Sequence, residues 1–178
     1  MPTTPRSTKF SFTPATELDI PTLVLLHNAV ADQLTGQYGE GPWSGQTSEK
    51  WLRYTMRTAK IFVARLGPEM IGTLRLTTRK PWAIDTAYFT PVPKPLYLLA
   101  MAIAPEKQRR GLGSRCLKEA VKIARAWPAD AIRLDAYDYP AGAGPFYAKS
   151  GWLTTGRKTY RGAKLIYYER LLKAKTSD

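Results

Sequence analysis

The chain predicts a mixed α/β fold: a central, mostly antiparallel sheet with one parallel strand pair and helices on both faces. Three observations predict it. LYLLAMAI, Leu96 to Ile103, is a nearly unbroken apolar run, as expected of a strand buried on both faces. An amphipathic helix and a second strand follow, and a strand–helix–strand unit favours parallel pairing. The flanking strands are joined by short turns, which favours antiparallel neighbours.

The elements read in order as follows. Phe10, Phe12 and Pro14 mark a first strand. Asp19 to Leu34 is a helix, with Asp19 as N-cap, Pro21 in the first turn, and Leu23, Leu26, Val30 and Leu34 at helical spacing. Thr35 to Ser48 carries four glycines and a proline, a loop long enough to be functional. Ser48 opens a second helix through Trp51, Leu52, Tyr54 and Met56. Ile61–Leu66 and Met70–Thr77 form a hairpin around Gly67 and Pro68. Arg79 to Pro95 is an extended excursion rich in proline and aromatics, either a loop pinned to the core or a lid facing substrate. After the apolar strand comes a helix from Gly113 to Trp127, stopped by Pro128. Ala131–Tyr137 is a strand and Gly142–Ser150 a short helix with Gly151 after its end. Trp152–Tyr160 and Lys164–Leu172 close the chain as antiparallel strands.

The 178 residues fit one domain. An apolar fraction of 44% and a charged fraction of 23% are ordinary for a globular chain. The single cysteine, Cys116, forms no internal disulfide, and with the single histidine, His27, makes none of the usual zinc ligand sets, so no metal is expected. A reducing cytoplasm fits this usage. No apolar run approaches the roughly 20 residues of a membrane helix, and MPTTPRSTKF lacks a signal-peptide core. The net charge of +13 attracts polyanions, whether nucleic acid, a ribosome or a polyphosphate cofactor.

QRRGLG, Gln108 to Gly113, lies between the apolar strand and the next helix. Its two glycines let the backbone take positive φ and let a ligand approach closely. The amides from Arg109 to Ser114 then sit at a helix N-terminus, where unpaired N–H groups and the dipole favour an anion. Arg109, Arg110 and Arg115 add positive charge suited to a pyrophosphate.

LLAMAIAPEKQRRGLGSRCL resembles the acetyl-CoA-binding motif of the GNAT acetyltransferase superfamily: a strand, then Gln/Arg-x-x-Gly-x-Gly/Ala, then a helix. The matching positions are Gln108, Gly111 and Gly113. AGAGPFYAKSGW resembles the family's later segment through Phe146, Tyr147, Gly151 and Trp152. The order of elements also matches from about Phe10 to Leu172. The resemblance implies the GNAT acyl-CoA N-acyltransferase fold, as one domain over 9–173 between tails at 1–8 and 174–178. It implies acetyl-CoA as cosubstrate, with its pyrophosphate on the amides of Arg109, Arg110, Gly111, Leu112, Gly113 and Ser114. Main-chain groups of Met101 and Ile103 would bind the pantetheine arm, where the apolar strand splays from the Ala131–Tyr137 strand. Tyr147 would protonate the leaving thiolate, a role suited to a phenol with a reference pKa near 10; packing on the sheet is its alternative role. Pro140 stands where the family commonly has Asn, and Gly144-Pro145 interrupts the usual helical run.

An amine acceptor must lose a proton before attack. The candidate bases are Glu40, Asp85, Asp135 and Asp138; Asp135 is expected to form a structural pair or point outward. His27 sits between core positions of the first helix, and Cys116 reads as a core hydrophobe rather than a nucleophile. Tyr38, Trp43, Trp82, Tyr88 and Phe89 lie in the segments expected to form an acceptor site. The acceptor is expected to be an amine, small or protein-borne, and the positive field favours an anionic one. Nucleic acid is the partner of a rival reading, in which the basic loop binds phosphates without catalysis. Exposed C-terminal edge strands would allow a homodimer.

Overall fold

A computed structural model describes residues 9–172; the expected tails at 1–8 and 174–178 lie outside the described residues. Seven strands form one sheet in the order β1-β2-β3-β4-β5-β7-β6. They are β1 Phe10–Pro14, β2 Lys60–Leu66, β3 Glu69–Thr77, β4 Pro95–Ile103, β5 Ala131–Tyr137, β6 Leu153–Tyr160 and β7 Ala163–Leu171. β4 and β5 run parallel, and every other pairing is antiparallel. The helices are α1 Ile20–Tyr38, α2 Glu49–Met56, α3 Leu112–Ala126 and α4 Gly144–Lys149. The predicted fold class and element order are those observed.

Strand alternation distributes the helices over two faces. In β2, Phe62 and Ala64 point into a core with Leu112, Cys116, Leu117, Ala120 and Ala124 of α3. Ile61 and Val63, on the opposite face, pack with Ile20 and Leu23 of α1 and Leu52 of α2. Full burial of such a side chain contributes about 1.5–3 kcal/mol. Cys116 is fully buried, and burial pushes its thiol up to about 11, so it stays a neutral core group.

α1 runs past the expected Leu34 to Tyr38, ending at Gly39, whose φ of +80° stops the helix. Asp19 occupies the N-cap position without a side-chain cap bond; its carboxylate instead accepts from the Thr16 amide and from Arg65. Ser48 caps α2 through the Trp51 amide, as expected.

Two irregularities in β4 matter most. The β3–β4 register slips between Thr73 and Arg75, and Ala100 takes φ +49°. This is a bulge, which bends the strand. Moreover, β4 pairs with β5 only over Pro95–Tyr97 against Ala131–Arg133. Beyond Tyr97 the two strands diverge. β4 is therefore not buried throughout, correcting that expectation: Leu96, Tyr97, Leu98 and Ala102 are buried, whereas Leu99, Met101 and Ile103 are partly open and Ala100 is exposed.

Candidate active site

The loop leaving β4 turns into α3 through two residues of left-handed backbone. Gly111 is the N-cap of α3 at φ +75°, and no side chain caps it. Arg109 takes φ +60°. Left-handed residues spaced this way turn successive amides toward one side. Among the described residues, none of the amides of residues 109–114 donates to a backbone carbonyl; the first helical bond is Arg115 N–H to the Gly111 carbonyl at 3.2 Å. Of the two glycines only Gly111 uses the freedom of positive φ; Gly113 serves differently. It is helical, and a Cβ there would lie 3.1 Å from the Phe146 ring. Its role is the close approach of α3 and α4.

The other loop residues divide by what they touch. Gln108 donates to the Ile103 carbonyl at 3.0 Å and exchanges two bonds with Gln33 of α1. Its side chain ties the loop to β4 and α1. The Leu112 side chain is buried in the α3 core, so only its amide faces outward. Arg109, Gly111, Gly113 and Ser114 line a cavity of about 450 Å³. Arg110 is exposed beside it. The Arg115 guanidinium lies 4.1 Å from the Phe10 ring centroid, a cation–π contact that holds it on β1.

This cavity is the first of three in a row. The second, about 380 Å³, lies in the splay and shares Leu34, Met101, Ala141, Ala143 and Tyr147 with the first. The third, about 570 Å³, lies between α1, α2 and β4 and shares Leu34, Arg75, Ala100, Met101 and Tyr137 with the second. Met101 and Leu34 touch all three. Ala104 donates to the Ile71 carbonyl of β3, so by strand alternation the main-chain groups of Met101 and Ile103 face the splay. The splay, the bulge and the uncapped helix end thus give one channel through the sheet with polar main chain along it.

Tyr147 stands where the first two cavities meet. Its ring is wedged between Phe146, Trp152 and Tyr168 at 5.2–5.9 Å, so packing fixes its direction. Its hydroxyl donates to Met101 Sδ at 3.7 Å. Burial raises its pKa well above the ordinary phenol range, and the nearby Asp135 adds to this. The phenol keeps its proton at neutral pH.

Asp135 overturns its expectation of a structural pair or an outward direction. It lines the splay cavity opposite Arg75, and among the described residues no cation pairs with it. Burial raises its pKa. The other candidate bases sit elsewhere. Asp85 pairs with Lys158 and caps the Ala87 amide. Asp138 pairs with Arg157 at 3.1 Å. Glu40 is exposed.

The third cavity is roofed by the loop between α1 and α2. Tyr137 donates its hydroxyl to the Pro42 carbonyl at 3.1 Å, and Trp43 meets the rings of Tyr137 and Tyr139 edge-on. Asn28 holds Thr47 through both its donor and its acceptor. His27, Val30, Trp43 and Trp51 are among the walls. Burial depresses the His27 pKa to about 4, with the charge of Arg75 adding to it, so the ring is neutral at neutral pH.

Of the other expected aromatics, Phe89 is core, Tyr88 covers Gly156, and Trp82 is exposed beside a further recess. The excursion before β4 is a pinned strap: Ile84 and Phe89 are buried and the Tyr167 hydroxyl bonds the Ala83 carbonyl. Arg75 and Tyr137 were missed by sequence reasoning. Arg75 carried a signal: a charged residue between Leu74 and Leu76 in an apolar strand.

Comparison with known proteins follows the same lines. The Acetyltransferase (GNAT) family model matches residues 27–152. No curated protein matches the chain. Several solved structures share its fold. One is yncA of Salmonella typhimurium, solved with its cofactor acetyl-CoA, at 13% identity, 94% of this chain, 96% of that one and a TM-score of 0.66. An N-acetyltransferase from Staphylococcus aureus matches at 15% identity, 93% of this chain, 99% of that one and a TM-score of 0.67. The ribosomal-protein-alanine N-acetyltransferase of Brucella melitensis matches at 17% identity, 91% of this chain, 99% of that one and a TM-score of 0.66. The uncapped amides, the open splay and the main chain turned into it fit a long ligand with a phosphate at one end. With the family model covering more than half of its residues, the chain belongs to the GNAT acetyltransferase family, whose acetyl donor is acetyl-CoA.

Proposed function

We propose that this protein is an acetyl-CoA-dependent N-acetyltransferase that transfers directly to an amine in a ternary complex. The observation that carries the reading is the row of three cavities meeting at Met101, with unbonded amides at one end and a separate acceptor chamber at the other.

The amides of residues 109–114 hold the pyrophosphate, helped by the charges of Arg109 and Arg110. Gln108 acts as a positioning residue, bracing that loop on β4 and α1. The main chain of Met101 and Ile103 binds the pantetheine arm. Acetyl-CoA supplies an acetyl group activated as a thioester. Asp135 accepts a proton from the acceptor nitrogen; its raised pKa brings it nearer the working pH, which favours a general base. Tyr147 gives its proton to the sulfur as the C–S bond breaks and the C–N bond forms. An ammonium acceptor thus yields an amide and a thiol, with one proton released. The buried neutral Cys116 takes no covalent part.

The test is calorimetric titration of acetyl-CoA into wild type and Gly111→Glu. The variant puts a carboxylate at the mouth of the amide cluster, at a backbone conformation that L side chains rarely adopt. Micromolar binding by wild type and at least about tenfold weaker binding by the variant is expected, since one lost charge-assisted contact costs that much. No binding by wild type would sink the reading.

A further inference from the structure

Arg75 lies in the middle of β3 between two fully buried leucines, Leu74 and Leu76. Its guanidinium stands at the junction of three recesses: the acceptor chamber, the splay cavity, and the smaller recess beside Trp82. Its Nε is buried without a hydrogen-bond partner. Among the described residues its one side-chain hydrogen bond is a weak one from Nη1 to Thr55 Oγ1 at 3.4 Å. Among the described residues no carboxylate lies within 4 Å of it. The nearby His27 adds no compensating charge.

Arg75 is partly buried, and drawing a charge out of water without a counterion is costly; Arg133 on the neighbouring part of the sheet shows the usual remedy in its ion pair with Glu169. Arg75 has no such partner among the described residues. Its planar fork presents donors matched to an oxyanion. Resting on the N-acetyltransferase reading above, we propose that the acceptor is an amine that also carries a carboxylate, and that Arg75 binds this carboxylate. The rest of the chamber agrees. Asp135 lines the splay cavity with Arg75 and carries the opposite charge, which suits a zwitterion held by both ends. Val30, Leu34, Trp43 and Trp51 give an apolar wall, which suits an aromatic or branched side group.

The test compares matched pairs, L-phenylalanine with phenethylamine and L-leucine with isoamylamine, followed by thiol release. Wild type is expected to favour the acid of each pair in kcat/KM by at least about tenfold. Arg75→Met is expected to erase that preference and Arg75→Lys to recover part of it, chiefly in KM. Acetyl-CoA titration of each variant checks that the fold is intact. Independently of turnover, 3-phenylpropionate should raise the melting temperature of wild type and not of Arg75→Met. Equal rates within each pair, or a preference that survives Arg75→Met, would overturn the assignment. Acetylation of the plain amines without regard to the carboxylate would remove the anion site and leave the transferase reading standing. Arg75-dependent binding of 3-phenylpropionate without acetylation of any amine would do the reverse.

Discussion

Arg133 on β5 and Glu169 on β7 are direct register partners and form a buried ion pair, Nε to Oε1 3.3 Å. Together they grip the main chain of Thr90: Arg133 donates to its carbonyl, and its N–H donates to Glu169 Oε2 at 3.3 Å. The Phe89 ring lies 5.1 Å from the guanidinium. This cluster anchors the strap where it enters β4, beside the three residues that alone pair β4 with β5. Removing one partner leaves a buried unpaired charge. Glu169→Gln or Arg133→Met is therefore expected to cost about 3–5 kcal/mol, and the double replacement Arg133→Met with Glu169→Leu to recover much of it. Urea unfolding of the three variants measures this.

Tyr147→Phe is expected to lower kcat by roughly 10²–10⁴-fold, the usual worth of a placed general acid. Stability and acetyl-CoA affinity should stay near wild type, because the hydroxyl's bond is only a long one to Met101 Sδ. Unchanged turnover would remove Tyr147 from the chemistry and leave it as packing.

Asp135 links activity and stability in opposite directions. Burial raises its pKa above the unfolded value, so the fold holds its proton more tightly. Its contribution to stability is complete below the unfolded pKa and is lost as pH rises through the folded one. At pH 7 the buried carboxylate therefore costs stability. Asp135→Asn is expected to melt higher than wild type while losing roughly 10²-fold or more in kcat. It should also lose the acid limb of the pH–rate profile. A variant that melts lower and keeps full activity would show that Asp135 is structural.

His27 behaves the other way. Its folded pKa of about 4 lies below the usual 6.5, so its stabilising contribution is complete above pH 6.5 and is lost as pH falls toward 4. The linked loss is on the order of 3 kcal/mol. Urea unfolding at pH 7 and pH 4.5 should show this loss in wild type and not in His27→Leu.

Much of this molecule can be read from local sequence. The hairpin of Ile61–Leu66 and Met70–Thr77 was legible from its turn and is there, with Ile61 and Val63 on one face and Phe62 and Ala64 on the other. The Gly-rich turn before a helix announced a run of unpaired amides, and such a run is there. Boundaries were weaker: α1 outruns its apolar stripe because the stop lies in the backbone of Gly39, which hydrophobic spacing does not report. The constraint on the second glycine of QRRGLG was not legible, because it is the Phe146 ring, a neighbour 33 positions later in the chain.

What the sequence by itself determined is the order of elements, the family, and the glycine-bearing turn at residues 108–113 before a helix. These depend on residues within a few positions of one another, so periodicity and turn chemistry expose them. Only the tertiary structure decided that β4 and β5 part after Tyr97, that Asp135 faces the gap, and that Arg75 stands without a counterion among the described residues. Those facts depend on which distant side chains fail to meet. The bulge at Ala100 and the strap held by Arg133 and Glu169 set that outcome, and no local pattern encodes it.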